Sequence, residues 1–292
     1  MSFFNSKYPI VAVGMNKVSD VSLAVACHRA GIFPTISAFN NYEAGSLMFE
    51  SFKRTVERYV SATNSSDVIL SMSAKDFINP EVFSLLCDLK ISHVELLDSV
   101  MPSTITTILK NKEHFNQHNG KVLFKVLLVK DNCYPFDGFI VKGPDGAGRS
   151  VPGPASSLET YFDTLKQLAP NAAVIPSGGI STSQQVKQWM DRGATAVGIG
   201  SLFAASKESP INYLGKEKMV EASSKDLKVF DKVNQLALVF TESESDGLNN
   251  TRGLGLGVRT GLEGHVFMGR GVDQITEILP VEDIVKKLIA DL

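Results

Sequence analysis

Val174–Ser209, VIPSGGISTSQQVKQWMDRGATAVGIGSLFAASKES, is the stretch whose reading decides the fold. Val174 and Ile175 make a short apolar run that ends in Ser177-Gly178-Gly179. Ser181 followed by Gln184 has the form of a capping box and predicts a helix start. Val186, Trp189 and Met190 recur at helical spacing, which gives that helix one apolar face. Gly193 falls where a helix takes its left-handed closing residue. Ala196–Ile199 is the next apolar run, and it ends at Gly200-Ser201. Gly179 and Gly200 are thus one strand–helix unit apart, so two glycine turns emerge at the same end of two neighbouring parallel strands. Free backbone N–H groups at such turns, beside helix starts, suit a phosphate. Loop glycines also serve plain turn geometry, and that reading stays beside the first.

The same period runs outward toward the N-terminus. Apolar runs at Pro9–Val13, Ile32–Ser37, Val68–Met72, His93–Leu97, Val122–Val129 and Phe139–Val141 read as buried parallel strands. Helical patterns separate them. Ser19 is placed to cap a helix carrying Leu23, Ala26, Cys27 and Ala30, closed by Gly31. Ala44–Ala62 reads as the second helix. Asn79-Pro80 has an N-cap followed by proline at the first helical position. Pro102–Lys112 follows, and Ser156 with Glu159 opens a further helix. The link Lys130–Asp137 is too short for a crossover helix. Eight strands alternating with helices predict an α/β fold, a (β/α)8 TIM barrel with a C-terminal extension. No G-x-G-x-x-G follows an early strand, which weighs against an open dinucleotide-binding sheet. The opening stretch then supplies strands seven and eight, where such barrels commonly keep a phosphate site.

Residues 1–209 form the barrel core and residues 210–292 the extension, in one structural domain. Within the extension, Thr241–Asn250 is polar and acidic and reads as a solvated loop. The run from Gly253 to Gly264 contains GLGLG. It reads as a flexible excursion rather than a nucleotide loop, because no strong strand precedes it. Val281–Leu292 is an amphipathic terminal helix that would complete the outer ring.

Composition narrows the function classes. The chain has 292 residues, 43% of them hydrophobic, and a net charge of −2. That is enough for a large core, and no basic run argues for nucleic acid or an anionic membrane surface. No apolar run approaches transmembrane length, and the N-terminus lacks a secretory pattern. Cys27, Cys87 and Cys133 are odd in number and widely spaced, as reduced thiols of a cytoplasmic protein are. His114 and His118 have the i, i+4 spacing of two metal ligands on one helix face, but further ligands are missing, and no metal is expected. The partner expected is a small-molecule substrate, and homo-oligomerisation stays open.

Three segments resemble the nitronate monooxygenase family, formerly called 2-nitropropane dioxygenases. They are PIVAVGMNKVSD at Pro9–Asp20, GFIVKGPDGAGRS at Gly138–Ser150, and IPSGGIS with GATAVGIGSLFAASKES. The first is similar to the family's opening Pro-Ile and its methionine beside the flavin. The second stands where the family has an E-A-G-G-H loop. The third is similar to its A-G-G-I and G-T-R-F…E-S segments. The resemblance implies an FMN-dependent (β/α)8 oxidoreductase acting at the C-terminal mouth of the barrel. It implies that Ser177, Gly178 and Gly179, with Gly200 and Ser201, hold the phosphate. Gly14, Met15 and Asn16 would lie against the isoalloxazine. Lys142 would stand near the ring, with Lys125 a second candidate cation, unless Lys125 is a solvated strand-end lysine.

The departure from the family pattern lies in the second segment. There the family carries a histidine that removes the substrate's α-proton, and Arg149 occupies its place. A guanidinium cannot act as a general base, but it can bind an anion. The expected substrate is therefore an already anionic nitronate or another anionic compound, with Arg149, Lys142 and Asp145 as the candidate catalytic groups. Asp145 also reads as a turn-capping aspartate. His93 stands at the start of strand four, at the wrong end of a barrel for catalysis, and His265 is a remote candidate for a replacement base. Two other readings share these features: a barrel lyase or isomerase for a phosphorylated metabolite, using Lys125, Asp98 or Lys142, and a flavin-binding protein with altered catalysis.

Overall fold

A computed structural model describes residues 2–97, 102–126, 135–148, 153–154, 157–230, 235–240 and 251–292. In chain order the first half comprises β1 (Ile10–Ala12), α1 (Val21–Arg29), β2 (Thr35–Ser37), a small hairpin of β3 (Tyr42–Glu43) and β4 (Ser46–Leu47), α2 (Phe49–Thr63), β5 (Ile69–Met72), α3 (Ala74–Phe77), α4 (Pro80–Asp88), β6 (His93–Leu96) and α5 (Pro102–Gln117). Then come β7 (Lys121–Val126), β8 (Gly138–Lys142), α6 (Ser157–Leu168), β9 (Ala173–Ser177), α7 (Ser183–Asp191), β10 (Val197–Ile199) and α8 (Ser201–Ala204). The extension adds α9 (Tyr213–Glu221), β11 (Lys228–Phe230), β12 (Gln235–Val239), α10 (Thr251–Thr260), β13 (His265–Phe267) and α11 (Val281–Leu288).

Eight strands pair in parallel in the order β1-β10-β9-β8-β7-β6-β5-β2. A parallel bridge between Val11 and Phe33 brings β1 beside β2 and closes the ring. This is the expected TIM barrel, and all eight sequence-predicted strands are in it. Between the barrel and its helices lie two apolar layers, one around Phe52, Phe77 and Phe162 and one around Phe203, Ile284 and Leu288. α11 packs against α1, α7 and α8 and so completes the outer ring. Among the described residues no helix is long and apolar enough to cross a membrane.

The inside of the barrel is layered, and the layering positions the site. Val11, Ile69, Leu123, Ile140 and Ile175 form an apolar plug with Phe4 and Phe33. His93 is buried at the same lower level, its Nε2 3.1 Å from the Phe3 carbonyl. Side chains two residues apart on a strand share a face. One step further along each strand the inward positions are therefore Ser71, Glu95, Lys125, Lys142 and Ser177. An apolar plug carries a polar layer facing the C-terminal mouth.

Several local expectations shift. The cap of α1 is Asp20, whose carboxylate accepts from the Leu23 N–H at 2.9 Å. Ser19 is buried instead; its hydroxyl accepts from the Met15 N–H and donates to the Val13 carbonyl, pinning the Gly14–Asn16 turn. The capping box of α7 is Thr182 with Gln185, one residue later than the sequence spacing predicts, and Ser181 lines the mouth. The second helix starts at Phe49, since Ala44 and Gly45 take φ of 47° and 81° and turn the β3–β4 hairpin. The glycine-rich segment is helical as far as Thr260, in α10, and only Gly261–Gly264 turns back toward β13. Glycines 253 and 257 let the helix press on β13, where a Cβ would strike His265. The extension also contains an antiparallel sheet of β11, β12 and β13 that alternation alone did not reveal. Thr241–Asn250 and Ser156 lie outside the described residues.

Candidate active site

All the residues singled out as binding candidates surround one cavity of about 460 Å3 at the C-terminal mouth. One wall is the turn after β1, Gly14, Met15 and Asn16. Beside it, on the neighbouring strands, are Gly200 and Ser201 after β10 and Ser177, Gly178 and Gly179 after β9. Lys125 and Lys142 rise from the floor. Leu254 of α10 and Phe267 of β13 cover the mouth from the extension. Hydrogen bonds tie the cover down. The Gly148 N–H donates to the Leu236 carbonyl at 3.1 Å, and the Gly269 N–H donates to Ser201 Oγ at 3.0 Å.

Gly178 and Gly179 have φ of 100° and 79°, a region other residues rarely take. Their second reason is close approach. A Cβ on Gly178 would lie 2.9 Å from the Gly143 carbonyl, and one on Gly179 would lie 2.9 Å from Asp145 Cβ. The glycines therefore let the loop after β8 lie across the turn after β9, as turn geometry alone would ask. Even so, among the described residues the N–H groups of Gly179, Ile180, Gly200 and Ser201 meet no main-chain acceptor. These amides border the cavity, where a ligand anion could accept from them.

The floor holds what the sequence did not single out. Ser71 and Glu95 are register partners on β5 and β6, and both are fully buried. They pack beneath Gly14, where an added Cβ would lie 2.7 Å from Ser71 Oγ and 3.0 Å from Glu95 Oε2. Glu95 Oε1 is 3.5 Å from Lys125 Nζ. Lys125 is therefore an inward, largely buried cation and not a solvated strand end. Ser71 Oγ, both Glu95 oxygens and Asn16 Oδ1 have no hydrogen-bond partner among the described residues. A buried carboxylate with no donor is costly, so such a group marks a place built to face something polar. Lys142 is enclosed beside them. Burial first, and the like charge of Lys125 second, pull its ammonium well below the usual lysine range, against the opposing pull of Glu95.

Asp145 takes a different place. It is absent from the cavity wall, and its carboxylate meets Arg270 Nε at 2.9 Å while its carbonyl accepts from the Arg270 N–H. Its side chain is occupied in holding the extension. His265 is buried beneath α10 and does not line the cavity; burial lowers its basicity. Arg149, Asp98 and Cys133 lie outside the described residues.

A family model described as nitronate monooxygenase matches residues 92–291. The chain belongs to the nitronate monooxygenase family. The match spans β6 through α11, so it takes in both lysines and both glycine turns but not the Gly14–Asn16 turn. Members of this family are FMN-dependent flavoenzymes, and this chain is an oxidoreductase of that kind. Among solved structures it is similar to FabK from Thermotoga maritima, with 20% identity, a TM-score of 0.77 and coverage of 99% of this chain and 93% of that one. Nitroalkane oxidase from Streptomyces ansochromogenes has 16% identity and a TM-score of 0.72, covering 98% and 96%. The enoyl reductase domain of MlnA from Bacillus amyloliquefaciens has 12% identity and a TM-score of 0.75, covering 98% and 94%. At these identities the likeness is one of fold. No curated protein matches the chain.

The residues present fit FMN. Unpaired amides at the two glycine turns suit a phosphate, and the cavity runs from them to Gly14–Asn16 and the two lysines. The orphaned oxygens of Ser71 and Glu95 lie beneath Gly14, and Asn16 lines the cavity above them.

Proposed function

We propose that the chain is an FMN-dependent oxidoreductase acting on a small nitronate or its parent nitroalkane, with Lys142 as the base. The observation that carries this is the polar layer in the barrel: two inward lysines and a buried glutamate on an apolar plug, at the inner end of the cavity. FMN, when bound, supplies a two-electron acceptor. Gly178, Gly179, Gly200 and Ser201 would hold its phosphate, and Gly14, Met15 and Asn16 would lie along its ring.

The rest of the chemistry belongs to the chain. Lys125, paired with Glu95, is a fixed positive charge that draws an anionic head group to the floor. Lys142 in its amine form takes a proton from the carbon beside the nitro group: the C–H bond breaks, Nζ gains the proton, and the electron pair stays on the substrate as the nitronate. That supplies a base where Arg149 removes the family's histidine, and it widens the expected substrates beyond compounds that arrive as anions. Leu254 and Phe267 shield the pocket from water and favour a small apolar chain on the substrate.

The test compares a nitroalkane with its pre-formed nitronate as substrates for the FMN-loaded protein. Wild type should oxidise both. Lys142→Met should keep activity toward the nitronate and lose it toward the nitroalkane by about 100-fold or more. Equal losses on both substrates would remove Lys142 from the base role. A protein that takes up no FMN would overturn the reading as a whole.

A further inference from the structure

The barrel has a second chemical cluster, at the end opposite the cavity. α4 and α5 both terminate there, just before the N-terminal ends of β6 and β7. Their ends bring together Cys87, His114 and His118, with one ligand atom from each within 4.8 Å of the other two. His114 is on the last turn of α5, and His118 follows the helix directly. Their ring centroids are 5.0 Å apart. The i, i+4 spacing puts two imidazoles on one side, and the tertiary fold adds the third ligand from the neighbouring helix, which the sequence could not show.

We propose that Cys87, His114 and His118 form a zinc site that clamps α4 to α5 at the base of the barrel. One sulfur and two imidazole nitrogens form a donor set that zinc prefers and that calcium and magnesium do not. Among the described residues no side chain hydrogen-bonds to any of the three, so none is already committed elsewhere. Tetrahedral zinc holds its ligand atoms about 3.4 Å apart, within reach of side-chain rotation from the spacing here. Both histidines are exposed, His114 resting edge-on against Phe83, while Cys87 is half-buried. Both helices also present their negative C-terminal ends to this point, which favours a cation. Water completes the coordination on the exposed side. Because the site is on the far side of the apolar plug from the cavity, its role is to join helices rather than to serve catalysis.

The experiment uses untagged, full-length, FMN-loaded protein freed of metal with a chelator. Zn2+ uptake is measured by calorimetry, and Co2+ is added as a spectroscopic substitute. The expected result is one equivalent of metal, a thiolate-to-cobalt charge-transfer absorption, a raised melting temperature and unchanged flavin content. Cys87→Ser should abolish the charge-transfer absorption. His114→Gln, a change at an exposed position, should weaken Zn2+ binding by at least about tenfold. Absence of stoichiometric uptake, cobalt binding without the thiolate absorption, or uptake unchanged by both substitutions would overturn the proposal.

Discussion

Lys125 Nζ lies 3.5 Å from Glu95 Oε1, and the pair sits inside the barrel where Glu95 is wholly removed from solvent. Each charge is tolerated there because of the other. Glu95→Gln leaves Lys125 without its counter-charge and should lower the stability of the apoprotein by about 1–3 kcal/mol. The double variant with Lys125→Met should lose less than the sum of the two single losses. Urea unfolding of the four proteins of this cycle measures the coupling, and strict additivity would show that the pair does not interact.

Lys142 has its proton affinity lowered by burial and by Lys125. Its amine form should therefore be reached below the usual lysine pH range, and nitroalkane oxidation should rise with pH on a limb that Lys142→Met removes. Stability follows the same sign. The folded state resists protonation that the unfolded chain accepts, so this group's penalty is greatest at low pH and is relieved as pH rises through its lowered value toward 10.5. Lys142→Met should accordingly stabilise the protein most at neutral and acid pH, which thermal melts across pH would reveal.

Gly179→Ala places a Cβ 2.9 Å from Asp145 Cβ on a backbone of φ 79°. The turn must open or strain by about 1–2 kcal/mol. Less FMN should remain bound after gel filtration than in wild type, read from the flavin-to-protein absorbance ratio. Full retention would separate this turn from the cofactor.

Asp145 is held by Arg270 outside the cavity. Asp145→Asn should keep turnover within about threefold of wild type and cost under about 1 kcal/mol of stability, since the ion pair is partly exposed. A loss of turnover comparable with that of Lys142→Met would return Asp145 to the list of bases.

His93 is packed among Phe3, Phe4 and Phe33, and burial lowers its pKa from 6.5 to about 3. Above 6.5 neither state is protonated and nothing is lost. Between 6.5 and about 3 the unfolded chain binds a proton that the native ring refuses, so stability falls as pH falls, by about 2 kcal/mol at about pH 5. His93→Gln should flatten this acid limb in a urea titration, whatever its effect at neutral pH.

The polar layer is written in the strands, although residue type alone marks Lys125, Lys142 and Ser177 and leaves Ser71 and Glu95 unmarked. In ILSM, HVEL, LFKV, FIVK and VIPS a small polar or charged residue follows two places after the plug position. Glu95 was the plainest signal, a carboxylate in a strand buried on both faces. Its importance was obscured because strand residues earn notice only once their inward parity is known, and parity needs register. The shifted caps have a similar origin. Ser19 and Asp20 are both good N-caps by residue type, and the Met15 amide, a tertiary partner, decides between them.

Local chemistry in the chain determined the repeating strand–helix period, and with it the barrel, the two glycine turns and the strand ends that face the mouth. Those features depend on periodicity and backbone freedom, which neighbouring residues set among themselves. Only the tertiary structure decided which side chains meet. Pairing of β6 with β7 brought Glu95 to Lys125, β13 came to pack against the helix of the glycine-rich run, and the ends of α4 and α5 brought Cys87 to His114 and His118. These pairings join residues from different strands and helices, and their energies come from burial and proximity that exist only once the chain has closed on itself.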